Sequence, residues 1–287
     1  MQPAQEKSGL SFTKMEGAGN DYIYFNCFDQ HIEDPAALSI ALSDRHFGVG
    51  GDGIVLICPS NQADARMRMF NADGSEGRMC GNAIRCVGKY LYENGVVPRR
   101  EMAIETLSGL RRLKLQAEEG VVTGVTVDMG PALLDPAQIP VNLPGPEVVG
   151  RPVQIGGREY AVTCLSMGNP HCAVFWPEDL ERLDIGKIGP LFERNPLFPQ
   201  GVNAEFVRIL GENHIQMRVW ERGSGETLAC GTGACAAAVA SVLAGHCQKG
   251  ADIAVDLLGG RLTIRWDNQT VWMTGPARTV FQGRLPL

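Results

Sequence analysis

Two cysteines, Cys80 and Cys230, each stand directly before a glycine and a helix-like segment. The first reads Cys-Gly-Asn-Ala-Ile-Arg and the second reads Cys-Gly-Thr-Gly-Ala. We therefore expect each sulfur to lie at a helix N-terminus, where backbone N–H groups without a partner inside the helix favour negative charge. Such a position is expected to lower the pKa of a thiol and to offer donors to a carboxylate. The two motifs predict acid–base chemistry on an anionic substrate.

Two thiols on opposite sides of one carbon could invert its configuration, because one removes a proton from one face while the other protonates the opposite face. Sulfur suits both steps, since the ordinary pKa of a thiol, ~8.5, lies near neutrality. Paired backbone N–H groups would stabilise the negative charge that develops beside the carboxylate. This chemistry needs no cofactor, and the sequence has no cysteine or histidine cluster with the short spacing of a zinc site. We therefore expect neither a cofactor nor a metal.

The segments around these cysteines occur twice in the chain. Residues 71–82 (NADGSEGRMCGN) align without a gap with residues 221–232 (ERGSGETLACGT). Gly19-Asn20 recurs as Gly168-Asn169, and Gly48-Val49 recurs as Gly201-Val202. Three matches in the same order, at nearly one offset, indicate two homologous lobes related by a pseudo-two-fold axis.

The elements that must position the cysteines are mostly strands, so we predict an α/β protein of the α+β type. Runs rich in β-branched and aromatic residues predict strands at Asp21–Phe28, Gly53–Cys58, Met67–Asn71, Leu110–Gln116, Val121–Met129, Val162–Leu165, Ala173–Trp176, Ala204–Leu210, Ile215–Trp220, Leu262–Trp266 and Val271–Thr274. Helices are predicted at Asp34–Asp44, Gly81–Gly95, Asp179–Arg194 and Gly231–Gly245. The proline-rich stretch 131–146 predicts a boundary just before it, between lobes 1–129 and 130–275.

The amino-acid composition restricts the kinds of molecule that the protein is expected to bind. The 287 residues carry 26 basic and 32 acidic side chains, a net charge of −6, so no basic field is available for nucleic acid or an anionic membrane. Nine cysteines without a CxxC pair are typical of a reducing compartment. The longest run of small apolar residues, Ala234–Ala244, is shorter than the ~17–25 residues that span a bilayer. We expect a cytoplasmic protein that binds a small molecule.

The motifs resemble those of the diaminopimelate epimerase family. Those that carry the resemblance run in the family's order from about Phe12 to Gly275: GAGNDY (17–22), NADGSEGRMCGNAIRC (71–86), GNPH (168–171), GVN (201–203) and ERGSGETLACGTG (221–233). The resemblance implies two similar lobes, each with mixed, largely antiparallel strands around a central helix, and an active site between them. It also implies that residues 276–287 return to the first lobe, that the protein is a homodimer, and that it interconverts LL- and meso-2,6-diaminopimelate in lysine and peptidoglycan precursor synthesis.

The same resemblance assigns roles to individual residues. It implies that Cys80 and Cys230 are the acid–base pair. The backbone amides that would hold the reacting carboxylate belong to Gly81, Asn82, Gly231 and Thr232. Substrate recognition would be completed by Asn20, Asn71, Asn169, Asn203, Glu221 and Arg222. His171 and Glu221 are expected near the thiols, where they would tune their ionisation.

Some positions depart from the family pattern or have no role in it. Gly53 stands where many members have glutamine, so one side-chain contact is missing or replaced. Ala83 and Ser224 also differ from the residues that are commonest at these positions in the family, but neither difference affects the expected chemistry. Residues 1–10 precede the family's usual start and are expected to form a disordered extension. The seven cysteines other than Cys80 and Cys230 are expected to be buried small apolar residues: Cys27, Cys58, Cys86, Cys164, Cys172, Cys235 and Cys247.

Three other functions are compatible with a cysteine pair. A proline racemase or hydroxyproline epimerase would have a Cys-Gly-His first motif and a proline before the second cysteine, and Asn82 and Ala229 argue against both. A non-catalytic redox sensor would join Cys80 to Cys230 in a reversible disulfide. A plain amino-acid binding protein would bind its ligand without exchanging the α-hydrogen, so hydrogen exchange distinguishes it from an enzyme.

Overall fold

Short strands and two helices make up the first part of the chain in the computed structural model, which describes residues 9–267 and 269–286. In chain order the elements are β1 (Leu10–Gly17), β2 (Asn20–Asn26), α1 (Pro35–Ser43), β3 (Gly53–Cys58), β4 (Ala65–Asn71), the two-residue β5 (Glu76–Gly77), α2 (Gly81–Glu93), β6 (Glu101–Thr106), β7 (Gly109–Glu118) and β8 (Val121–Asp128). The strands pair in the order β1-β2-β3-β4-β6-β7-β8, with β5 beside β4. The β2–β3 and β4–β6 pairs are parallel and the others are antiparallel.

The second part of the chain has the same kinds of element. They are β9 (Val148–Ile155), β10 (Arg158–Ser166), β11 (Pro170–Phe175), a 3₁₀ turn (Leu180–Arg182), α3 (Ile185–Glu193), β12 (Asn203–Gly211), β13 (His214–Glu221), the two-residue β14 (Gly225–Glu226), α4 (Gly231–Leu243), β15 (Asp252–Leu257), β16 (Gly260–Trp266) and β17 (Val271–Gly275). The strands pair in the order β9-β10-β11-β12-β13-β15-β16-β17, with β14 beside β13. The β11–β12 and β13–β15 pairs are parallel.

The last strand, β18 (Arg278–Leu285), pairs antiparallel with β1, so that Leu10 faces Leu285. The chain therefore divides into one unit that runs to Val127 and includes the residues from Pro276, and a second unit, Asp128–Gly275. Leu10 lies in this paired strand, so the expectation of a disordered extension is wrong for Leu10. Residues 1–8 of that expected extension lie outside the described residues.

The two units have the same strand order, β18-β1-β2-β3-β4-β6-β7-β8 in the first and β9-β10-β11-β12-β13-β15-β16-β17 in the second. The parallel pairs fall at the same places in both orders. The duplication predicted from the sequence motifs is thus present in the backbone pairing. The α/β class with mixed, largely antiparallel strands is confirmed.

One helix in each unit is surrounded by strands. Helix α2 packs on β1, β2 and β7, and helix α4 packs on β10, β11, β12 and β13. Most residues of both helices are buried. In α4 this follows from composition, because a run of alanines, Cys235 and Val239 leaves no polar face. The central helix of each unit is a fixed platform for the residue at its N-terminus. Among the described residues, no helix combines the length and the apolar character needed to cross a bilayer.

The sequence prediction differs from the structure in two respects. The segment Asp179–Arg194 is not one helix, because Asp184 caps a new helix by accepting a hydrogen bond from the Lys187 backbone N–H at 3.2 Å. Seven strands were not predicted: β1, β5, β6, β9, β14, β15 and β18. Charged residues, glycine or proline interrupt the longer of these, and their strand form depends on pairing with neighbours rather than on local propensity.

Candidate active site

Cys80 and Cys230 both occupy the N-cap position of a central helix. Cys80 caps α2, and its Sγ accepts a hydrogen bond from the Ala83 backbone N–H at 3.5 Å. Cys230 caps α4, and its Sγ accepts from the Gly233 N–H at 3.3 Å. Both residues have extended backbone angles, as an N-cap requires. The prediction that each sulfur lies at a helix N-terminus is confirmed.

An ion pair between an arginine and a glutamate holds the turn before each cysteine. Arg68 on β4 pairs with Glu76 on β5, with 2.7 Å between Nε and Oε1. Arg218 on β13 pairs with Glu226 on β14 at the same distance. These residues lie at matching positions of the two units, but the sequence analysis assigned no role to the arginines. Each pair ties a short hairpin directly before the cysteine and so limits the positions that the sulfur can take.

In the first unit the Cys80 sulfur contacts the side chain of one of the predicted binding residues. The Cys80 thiol donates to Asn20 Oδ1 at 3.3 Å, and Asn20 Nδ2 donates to Asp52 Oδ2 at 2.6 Å. Arg45 in turn pairs with Asp52 at 3.0 Å. Asp52 and Arg45 were not predicted to take part. The asparagine amide is thus held in one orientation with its oxygen toward the sulfur.

The other predicted residues of this unit lie close by in the chain. Gly81 and Asn82 are the first two residues of α2 and are buried. Asn71 ends β4, and its side-chain amide donates to Ser75 Oγ at 2.9 Å across the turn that leads to Cys80. Asn71 therefore also has the turn-forming role that asparagine commonly takes.

Gly53 begins β3 as Asn203 begins β12, so the two residues occupy corresponding places in the units. This strand register aligns Gly51 with Gly201 and corrects the match of Gly48 with Gly201 made from the sequence. The backbone of Gly53 has φ +154°, and an added Cβ would lie 2.0 Å from the carbonyl oxygen of Phe70. The missing side chain is therefore a requirement of this backbone. Gly53 therefore supplies no side-chain contact in place of the one expected from a glutamine at this position of the family pattern.

Gly53→Gln is expected to lower the free energy of unfolding by at least ~1–3 kcal/mol, because the added side chain meets backbone and strains φ. Urea unfolding measures this loss. Gly211→Gln is the matched control, since nothing lies within 4 Å of an added Cβ there, and it should change stability by less than ~0.5 kcal/mol. Equal stability of Gly53→Gln and the unchanged protein would contradict the steric explanation.

In the second unit a continuous chain of polar side chains starts at the Cys230 sulfur. Cys230 Sγ lies 3.5 Å from Thr232 Oγ1, and Asn169 Nδ2 donates to Thr232 Oγ1 at 3.4 Å. Asn169 Oδ1 contacts His171 Nε2 at 3.0 Å, and His171 Nδ1 contacts Glu205 Oε1 at 2.6 Å. His171 and Glu205 are fully buried. Three predicted residues are thus linked to the cysteine through side-chain contacts.

Among these connected polar side chains, Glu205 is the one that the sequence analysis did not predict. It lies within the apolar strand β12. A carboxylate in a buried strand needs a polar partner, and this was the only feature of the sequence that could have indicated its role. With the amide of Asn169 donating to Thr232, its oxygen must accept from His171 Nε2–H. Burial raises the pKa of Glu205 to about 7, against the lowering effect of His171.

The remaining predicted residues of this unit surround the end of β13. Glu221 ends the strand, and its carboxylate accepts a hydrogen bond from the Thr227 hydroxyl. Asn203 is buried, and its Oδ1 accepts from the Arg222 backbone N–H at 2.8 Å. The Arg222 Nη1 donates to the carbonyl of Gln200 at 2.8 Å, and its side chain is exposed. Gly231, like Thr232, lies in the first turn of α4.

The ionisation of Cys230 differs from the expectation. Burial raises the pKa of the Cys230 thiol well above its usual value, and the negative charges of Glu221 and Glu205 raise it further. Hydrogen bonds from Thr232 and from the Gly233 backbone N–H act in the opposite direction but are outweighed. The helix N-terminus does act to lower the pKa of Cys230, but the expectation of a lowered pKa overall is wrong, because removal from water destabilises the thiolate more than the helix N–H group stabilises it. The expected proximity of Glu221 to a thiol is confirmed.

Glu205→Gln is expected to lower the pKa of the Cys230 thiol, because it removes a negative charge that disfavours the thiolate. The midpoint of iodoacetamide labelling at Cys230, followed by peptide mass spectrometry as a function of pH, should move to lower pH. Glu159→Gln, an exposed change in the same unit, should leave the midpoint where it is. An unshifted midpoint in Glu205→Gln would show that this carboxylate has no electrostatic effect on Cys230.

Within residues 9–267 and 269–286, no three His, Cys, Asp or Glu side chains are grouped so that they could hold a metal ion. Each of the two turns offers a thiol beside helix N–H donors, with amide and carboxyl side chains next to it.

The duplicated unit is a fold that this chain shares with several proteins of solved structure, some of them described as racemases or epimerases. A hydroxyproline epimerase from Agrobacterium vitis superposes with a TM-score of 0.68 at 15% identity, covering 97% of this chain and 91% of that one. A phenazine biosynthesis protein from Bacillus anthracis gives 0.67 at 16% identity, covering 98% and 100%. At these identities the likeness shows the fold alone.

Sequence comparison is more specific. The family model for diaminopimelate epimerase matches residues 12–134 and 163–280. A diaminopimelate epimerase from Acetivibrio thermocellus is 52% identical over 280 residues, covering 97% of this chain and 99% of the relative. One from Desulfovibrio desulfuricans is 52% identical over 282 residues, covering 96% and 97%. The chain belongs to the diaminopimelate epimerase family, as its motifs predicted.

Proposed function

We propose that this protein interconverts LL-2,6-diaminopimelate and meso-2,6-diaminopimelate, with Cys80 and Cys230 as the two proton-transfer groups. The observation that carries the proposal is the N-cap position of both cysteines at matching places of a duplicated unit. Together with about 50% identity to diaminopimelate epimerases over nearly the whole chain, it supports a symmetric two-thiol mechanism.

The reaction balances without an external reagent. One cysteine, as thiolate, takes the α-proton and leaves the electron pair on the α-carbon and its carboxylate. The other cysteine, as thiol, gives its proton to the opposite face, so that a new C–H bond forms with inverted configuration. The first cysteine ends as thiol and the second as thiolate, and the reverse reaction uses them in exchanged roles. We accordingly propose that the protein works without a metal or an organic cofactor.

The two helix N-termini supply the charge stabilisation. In each helix the sulfur accepts the N–H of the third residue, from Ala83 in α2 and from Gly233 in α4. We propose that the preceding N–H groups, those of Gly81 and Asn82 and of Gly231 and Thr232, bind the reacting carboxylate. Such donors stabilise the negative charge that develops as the α-proton leaves, as an oxyanion hole does.

The distal amino-acid end of the substrate needs a second set of contacts. We propose that they come from Arg222 together with Asn71, Asn169 and Asn203, whose groups include donors for a carboxylate and acceptors for an ammonium. Asn20 and Glu221, which lie beside the thiols, would complete substrate recognition. His171 acts through Asn169 and Thr232 rather than on the substrate, since its ring nitrogens contact Asn169 and Glu205. We further propose that the protein acts as a cytoplasmic homodimer.

The test is deuterium exchange followed by NMR. The desalted, reduced protein, treated with a chelator and supplied with no cofactor, is incubated with LL-diaminopimelate in D2O. We expect deuterium at the α-carbon and formation of the meso isomer, with no exchange into proline under the same conditions. Binding without exchange would identify a binding protein instead. Activity that is lost with the chelator and restored only by a metal would contradict the two-thiol mechanism.

A further inference from the structure

A second pair of cysteines, Cys27 and Cys58, lies in the first unit at the other end of strands β2 and β3. The β2–β3 pair is parallel, with Asn26 facing Ile57, and the Cys27 backbone N–H donates to the Ile57 carbonyl at 2.8 Å. This hydrogen bond continues the ladder by one residue, so Cys27 faces Cys58. Facing residues of neighbouring strands project to the same side of a sheet. The Cys27 thiol donates to the Phe25 carbonyl at 3.9 Å, and interaction between the two thiols shifts the pKa of both.

The backbone spacing suits a disulfide. Neighbouring strands lie ~4.8 Å apart, which falls in the ~4.4–6.8 Å range of Cα separations that disulfides span. Both cysteines are also partly exposed, which corrects the expectation that they are buried small apolar residues. A dissolved oxidant can therefore reach them.

Charges of both signs surround the pair, with Arg66 and Arg68 acting against Asp29 and Glu76. Arg66 lies opposite Cys58 across the β3–β4 pair, and Arg68 follows it on β4. Interaction with the Cys27 thiol and the charges of Arg68 and Arg66 lower the pKa of Cys58, while burial and the charge of Glu76 act in the opposite direction. Because Arg66 lies opposite Cys58, we take Cys58 as the attacking thiolate and Cys27 as its resolving partner.

The Cys27–Cys58 pair lies at the far end of β2 from Asn20, although the Arg68–Glu76 ion pair of the hairpin before Cys80 acts electrostatically on Cys58. Asn20, which accepts the hydrogen bond of the Cys80 thiol, begins β2, and Cys27 follows the end of that strand. Seven residues of strand span ~23 Å. Chemistry at Cys27 and Cys58 therefore need not involve the residues of the proposed reaction.

We propose that Cys27 and Cys58 form a peroxide-reactive site that closes to a reversible disulfide within the first unit. The Cys58 thiolate attacks one oxygen of hydrogen peroxide, the O–O bond breaks, and Cys58 becomes a sulfenic acid as hydroxide leaves. The Cys27 sulfur then attacks the Cys58 sulfur, the S–O bond breaks, and a second hydroxide leaves. The two protons of the thiols convert both hydroxides to water, and the two electrons lost by the sulfurs reduce the peroxide. A dithiol reductant reverses the oxidation by thiol–disulfide exchange.

The test uses the full chain, fully reduced and then freed of reductant. The protein is exposed to increasing hydrogen peroxide, the remaining thiols are blocked with N-ethylmaleimide, and the peptides are mapped without reduction. We expect a linked peptide that joins Cys27 to Cys58 and has lost two hydrogen atoms, and we expect dithiothreitol to separate it. In Cys27→Ser the resolving thiol is gone, so Cys58 should accumulate as a sulfenic acid that dimedone traps.

The chain offers an internal control. Cys164 faces Cys172 across the β10–β11 pair in the same way, but both are buried in the core of the second unit. We expect this pair to remain reduced at peroxide concentrations that link Cys27 to Cys58. The proposal is overturned if no linked peptide joins Cys27 and Cys58, or if Cys58 is trapped by dimedone equally in the presence and absence of Cys27. Deuterium exchange by Cys27→Ser should equal that of the unchanged protein, so the result is independent of the proposed epimerase activity.

Discussion

Cys80→Ser and Cys230→Ser are each expected to reduce the conversion of LL- to meso-diaminopimelate by a factor of ~10²–10⁴ or more, the usual contribution of a positioned acid or base. Serine is the informative replacement because its hydroxyl can keep the N-cap hydrogen bond to Ala83 or Gly233 while it neither ionises nor accepts a proton as a thiol does. The helix should therefore remain in place and the proton transfer should be lost. Initial rates from polarimetry or a coupled assay measure the effect.

The two serine variants should also differ from each other in isotope exchange. Each keeps one thiol, which can remove and return a proton on one face only. One variant should therefore exchange the α-hydrogen of the LL isomer and the other that of the meso isomer, both without inversion. Cys247→Ser, in the second unit but after the end of α4, is the control and should retain both exchange and inversion. Inversion at the normal rate in either Cys80→Ser or Cys230→Ser would rule out the two-thiol mechanism.

Arg222→Lys is expected to lower kcat/KM for diaminopimelate on the order of tenfold or more, since a charge-assisted hydrogen bond contributes ~1.5–3 kcal/mol. Arginine offers a planar fork that can bind both oxygens of a carboxylate, whereas lysine offers a single point charge. The exposed guanidinium is held by the Gln200 carbonyl, next to the buried Asn203 that binds the Arg222 backbone. This fixed position is what a contact to the distal carboxylate requires.

Two measurements separate binding of the distal end from a structural role. An amino acid that lacks the distal carboxylate should be a poor substrate of the unchanged protein and should lose little further activity in Arg222→Lys. Arg151→Lys is the matched control, because Arg151 is a half-buried arginine of the same unit whose guanidinium also donates to a backbone carbonyl, that of Pro144. Equal proportional losses for both substrates would place the effect of Arg222 at the reacting end or in the fold.

Much of the local structure could be predicted from the sequence because its causes are local. Strand β3 has the predicted bounds, Gly53–Cys58, since an uninterrupted apolar run ends at turn residues on both sides. Helices α2 and α4 begin at Gly81 and Gly231, directly after a cysteine that caps the N–H three residues further on. The duplication was also visible, because matching motifs keep their order and spacing along the chain.

Contacts between segments that are far apart along the chain could not be predicted from the sequence. His171 meets Glu205 because β11 and β12 are parallel neighbours in a particular register, and no local signal specifies that register. The Cys27–Cys58 pair depends in the same way on the register of β2 and β3. A one-residue shift would turn these side chains to the opposite face of the sheet.

The sequence by itself determined the duplicated unit, the helix N-terminus at each of Cys80 and Cys230, and the family to which the chain belongs. Only the tertiary structure decided the electrostatic environment of the second cysteine. The helix end favours the thiolate of Cys230, but burial together with Glu221 and Glu205 raises its pKa. Capping is a local interaction that four consecutive residues complete, whereas desolvation depends on every segment that packs around the sulfur and keeps water from it.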